Sequence, residues 1–70
     1  MSGYVVKWWR ACPCAGPTQK PIRTERVASH QEAWVLIRSS GGTYKPEKST
    51  TARYIYHSGK TNTWISMEAA

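Results

Sequence analysis

Apolar positions fall into short runs along this chain, separated by stretches rich in Pro, Gly, Ser and Thr. The first run, Tyr4 to Ala11 (YVVKWWRA), mixes β-branched and aromatic residues and predicts a strand. Strand side chains alternate, so Tyr4, Val6 and Trp8 share one face and Val5, Lys7 and Trp9 the other. The adjacent tryptophans therefore point opposite ways, and only one of them easily enters a single core. Cys12 to Pro21 (CPCAGPTQKP) carries three prolines and a glycine and predicts a loop. Ile22 to Ala28 (IRTERVA) predicts a second strand with a charged outer face.

Ser29 to Gly42 supports two readings. Ser29-His30-Gln31-Glu32 matches a helix capping box, and Gly41 is a suitable helix end. Against this, Ala33 to Ile37 (AWVLI) is five apolar residues in a row, which fits a strand buried on both faces. Val35 and Ile37 are β-branched and mildly disfavour a helix. The balance favours a strand, with Ser29 to Glu32 as a hairpin turn. Ser39 to Thr51 predicts a polar loop with its flexible point at Gly41 and Gly42. Ala52 to His57 predicts a strand with Tyr54 and Tyr56 on one face and Arg53, Ile55 and His57 on the other. Ser58 to Asn62 predicts a turn, and Thr63 caps a short C-terminal helix beginning at Trp64.

The expected fold is therefore mainly β: a small antiparallel sheet of about four strands in one domain spanning residues 1–70. Such a sheet can curl into an SH3-like barrel, closed at one end by the short C-terminal helix. At 70 residues, a chain buries only roughly 60% of its unfolded surface. A binding surface is easier to build at that size than a deep catalytic cleft. There is no Phe, so four Trp and four Tyr must do much of the packing.

Charge changes the picture most. Ten Lys and Arg stand against four Glu and no Asp, a net charge of +6, which favours polyanionic partners. No stretch reads as a signal peptide or a membrane span, and two cysteines without an export signal predict reduced thiols in a cytoplasmic setting. Cys12-Pro13-Cys14 has one intervening residue where paired zinc ligands typically have two to four. His30 and His57 lie in unrelated local patterns, so no metal or other cofactor is expected. Gly59-Lys60-Thr61 lacks the glycine five residues earlier that a phosphate-binding loop requires; Tyr54 stands there. Glu25, Glu32, Glu47 and Glu68 are dispersed, and nothing orients a pair such as Cys14 and His57, so an enzyme is not expected.

The candidate chemistry is an aromatic and cationic surface. Strand-borne rings stack unpaired bases while neighbouring cations meet phosphates. Lys7, Arg10, Arg23, Arg26, Arg38, Lys48 and Arg53 supply charge; Trp8 or Trp9, with Tyr54 and Tyr56, supply rings. The competing assignment places Tyr54 and Tyr56 on the inner sheet face, opposite Trp34. Two further readings remain open. One is a module that docks on another protein through an exposed Trp and an open strand edge. The other is a self-associating domain that buries the second Trp in a dimer contact.

From Arg23 onward the order of features resembles a group of small phage and prophage proteins of uncharacterised function. The matching elements are Ile22 to Ala28, Trp34-Val35-Leu36-Ile37, Lys48-Ser49, Arg53-Tyr54-Ile55-Tyr56, and Thr63-Trp64 with Glu68-Ala69. In that group the Thr-Trp start is followed by acidic residues, where this chain has Ile65-Ser66-Met67. The resemblance implies a strand at Trp34 to Ile37, a terminal helix at Thr63, a phage-like origin and, in the docking reading, a host protein as partner.

Overall fold

The computed structural model describes residues 3–13 and 19–70. Five strands and one α-helix follow each other: β1 (Tyr4–Trp9), β2 (Arg23–Val27), α1 (His30–Ser39), β3 (Gly42–Tyr44), β4 (Arg53–Ser58) and β5 (Thr63–Ala69). A 3-10 turn at Pro46–Lys48 lies between β3 and β4. The strands form one antiparallel sheet in the order β2-β1-β5-β4-β3. The mainly β class and the antiparallel sheet are as the sequence predicts. The sheet is open, however, with β2 and β3 at its edges, and does not close into a barrel.

The helix stands where a strand was expected, because capping chemistry outweighs the apolar run. Ser29 Oγ accepts a hydrogen bond from the Glu32 backbone N–H at 3.2 Å, and its hydroxyl reaches the Glu32 carboxylate at 3.3 Å. At the other end Gly41 takes φ +78°, a left-handed conformation that favours glycine, and its N–H donates to Arg38 O. Helical spacing then splits the five-residue apolar run. Ala33 and Ile37, four residues apart, are fully buried, while Trp34 and Val35 face outward. The strand at Trp34 to Ile37 implied by the resemblance is corrected with it.

The C-terminal segment is a strand and not a helix. β5 lies at the centre of the sheet, between β1 and β4. Its Ile65 and Met67 are buried on the face that carries α1, and Ser66 is fully buried on the other. A strand with a neighbour on each side has its backbone satisfied along its length. The predicted polar loop after α1 also holds a strand. Gly42 opens β3, and a Cβ there would come within 2.8 Å of Ile37 Cγ2, so glycine lets the helix approach the sheet edge.

The main core lies between α1 and the sheet: Val6, Trp8, Ala33, Ile37, Tyr56, Ile65 and Met67. Register places Val5, Trp9, Ile55 and Ser66 on the opposite face, and all four are buried as well. The sheet thus buries residues on both sides. That is how two adjacent tryptophans both leave solvent: Trp8 is 5% exposed and Trp9 is 8% exposed. Each indole N–H is satisfied, Trp8 by Ser40 Oγ at 3.2 Å and Trp9 by Ser66 Oγ at 2.9 Å.

Candidate nucleic-acid interface

The predicted aromatic anchor on β1 does not exist, since both of its indoles are buried. The exposed rings gather elsewhere. Helical spacing turns Trp34 out of α1 toward the β3–β4 half of the sheet. There it meets Tyr56 at a ring-centroid distance of 6.2 Å. Tyr44 on edge strand β3 lies 5.5 Å from Tyr56 and 6.3 Å from Tyr54. Strand alternation explains the grouping. Tyr54 and Tyr56 are two apart on β4, and Tyr44 pairs directly with Tyr56, so all three share the helix face. With His30 and Met67 these residues line a groove of about 250 Å³.

The groove is graded from dry to wet. Tyr56 is buried at its floor, while Trp34, Tyr44 and Tyr54 are 39%, 45% and 38% exposed at its walls. Its volume lies just below the roughly 300 Å³ at which pockets enclose whole drug-sized ligands. It therefore accommodates one flat ring against its walls rather than surrounding a molecule. Burial raises the Tyr56 phenol above its ordinary 10.0, and the nearby Tyr44 and Tyr54 phenols add to the rise. The neutral phenol is thus the form that the fold favours. Its contribution to stability is complete below pH 10 and is lost as pH rises through the higher folded-state value. Urea midpoints measured between about pH 9 and pH 11 are expected to fall in the wild type. They are expected to fall less in Tyr56→Phe, which has no phenol to ionise.

The eleven residues picked out from the sequence do not form one patch. Lys7, Arg26 and Arg53 lie on the face opposite α1, with Glu68 among them: it pairs with Lys7 at 3.6 Å and sits across from Arg53 in the sheet register. Arg23 is on the helix face, with its guanidinium 4.4 Å from the centre of the Trp8 ring and 3.2 Å from Glu25. Arg10 is exposed just beyond β1. Only Arg38, Tyr54 and Tyr56 fall in or beside the aromatic groove. Arg38 lies 5.9 Å from the Trp34 ring centre, and Lys48 sits in the turn that follows β3.

Sequence reasoning missed Trp34 and Tyr44 as surface rings. The signal for Trp34 was the capping box, which fixes a helix and so turns the indole outward. The carboxylates largely avoid this groove. Glu25 and Glu32 line the opposite flank of α1, and Glu68 faces the other side of the sheet, leaving Glu47 on the 3-10 turn.

The predicted cysteine chemistry also changes. Cys12, expected as a reduced thiol, is disulfide-bonded, while Cys14 lies outside the described residues. His30 meets the Tyr4 ring edge-on at 5.6 Å and His57 packs at a tilt against Trp64 at 4.6 Å, so the two imidazoles sit in separate aromatic contacts. Among the described residues no helix is long and apolar enough to cross a membrane. The chain matches no protein-family model, no curated protein and no solved structure.

Proposed function

We propose that this domain binds single-stranded nucleic acid, non-enzymatically, through the groove between α1 and the β3–β4 edge. The observation that carries the reading is the group of three half-exposed rings, Trp34, Tyr44 and Tyr54, on a chain of net charge +6 whose glutamates mostly lie elsewhere. Every base has a flat face, so rings of this kind stack on unpaired bases with little sequence preference. Arg38, beside the Trp34 ring, and Lys45 and Lys48, which follow Tyr44 in the chain, are the proposed phosphate contacts. A base-paired duplex offers no free face, so single strands are the favoured ligand.

Salt dependence is the test. About three phosphate contacts on a single strand predict that log K falls against log salt with a slope near −2. Fluorescence titration of a mixed-sequence single-stranded oligonucleotide is expected to give that slope and weaker binding to the matching duplex. Binding that is flat in salt, or stronger for the duplex, would count against the reading. If a proline-rich peptide occupies the groove and the oligonucleotide does not, the groove serves protein docking instead, since such peptides also select aromatic grooves.

A further inference from the structure

The two edges of the sheet are not alike. β3 has three residues and runs at once into Pro46 and a 3-10 turn, which blunts it. β2 has five residues with no proline and, among the described residues, pairs with no strand but β1, so its outer edge has no strand partner there. Beside it lies a second groove, of about 490 Å³, between β2 and the flank of α1 away from the aromatic groove. Its walls include Val27, Leu36 and Val35, and Val35 is 58% exposed. Glu25 and Glu32 also line it, two of the four glutamates of a strongly basic chain. An apolar strip with acidic groups at its mouth fits an extended partner that brings cations.

We propose that β2 pairs antiparallel with β2 of a second copy of this chain, about a twofold axis normal to the sheet at Thr24. Charge decides the register. Centring on Arg23, Glu25 or Arg26 sets that residue against its own copy, like charge against like, which destabilises a cross-strand pair. Centring on Thr24 sets Thr24 against Thr24 and Arg23 of each copy against Glu25 of the other. Arg23 and Glu25 share the helix face, opposite Trp8 and Val6 of β1, so both new ion pairs form on that face, at the mouths of the two apolar grooves. The two α1 helices then flank the joined strands with their Val35 sides toward each other. The contact is isologous and closes at two copies. It leaves the aromatic grooves free at the far edges of a ten-stranded sheet, so it stands independently of the nucleic-acid reading.

A charge swap tests it without depending on how well any one variant folds. Sedimentation velocity up to about 1 mM is expected to show wild-type mass rising from 7.9 kDa toward twice that value. Glu25→Arg and Arg23→Glu, each checked for native circular dichroism, are expected to stay monomeric, because each sets like charges opposite one another. An equimolar mixture of these two variants is expected to dimerise, because every cross-strand pair is then of opposite charge. A wild type that stays monomeric throughout would overturn the proposal, as would a mixture no more associated than its components. Single variants that dimerise like the wild type would also overturn it.

Discussion

Trp9→Ala is expected to remove from about a third to nearly all of the domain's stability. Truncating a buried Trp typically costs about 3–5 kcal/mol. A 70-residue domain has roughly 3.5–10 kcal/mol in total. The loss comes from the sheet face without a helix, where Trp9 is buried on the same side as Val5, Ile55 and Ser66 and is the largest of them. It also strands a polar group. Ser66 is fully buried and accepts the Trp9 indole N–H at 2.9 Å. Trp9→Phe keeps most of the ring area but removes that donor, at about 1–3 kcal/mol. Adding Ser66→Ala to Trp9→Phe removes the orphaned hydroxyl and should recover part of that loss. Urea midpoints across this double-mutant cycle give the coupling directly. A Trp9→Ala protein as stable as the wild type would show that this face is not a second packed layer.

The second large effect is on binding. Trp34→Ala and Tyr44→Ala each remove an exposed ring, and ring-to-alanine changes on stacking platforms cost about 1–3 kcal/mol per base. Each variant should therefore bind a single-stranded oligonucleotide about 5- to 150-fold more weakly. Both positions are more than a third exposed, so folding should change little. Lys48→Ala should behave differently, weakening binding modestly and flattening the salt slope by about 0.7 for one lost phosphate contact. Ring variants that leave affinity unchanged while the cation variant lowers it would reduce the interaction to diffuse electrostatic attraction.

The sequence showed the alternation of β1 and β4 clearly. Trp8 and Trp9 do point to opposite faces, and Tyr54 and Tyr56 do share one. It did not show that both faces bury residues, because that depends on what packs from outside the sheet. A strand with one dry face and a strand with two look alike when only six residues are in view. α1 was legible in its caps, Ser29 with Glu32 and Gly41, yet five consecutive apolar residues fit either period. Misplacing that element hid the groove, since only a helix turns Trp34 out toward Tyr44 and Tyr56. β5 was hidden for another reason. Thr63 caps well and Met67, Ala69 and Ala70 favour a helix locally, but pairing with both β1 and β4 overrides propensity in a seven-residue segment. The basic balance was legible and its distribution was not, because Glu68 reaches Lys7 only across paired strands.

The four indole N–H signals in a two-dimensional NMR spectrum separate the buried rings from the exposed one. Trp8 and Trp9 donate to Ser40 and Ser66 within the fold, whereas Trp34 borders the groove. Titrating a short single-stranded oligonucleotide into labelled protein at low salt should move the Trp34 indole signal and the Tyr44 and Tyr54 ring signals, with Trp8 and Trp9 still. Shifts confined to Lys and Arg positions scattered around the sheet, with Trp34 unmoved, would contradict the assignment of the groove.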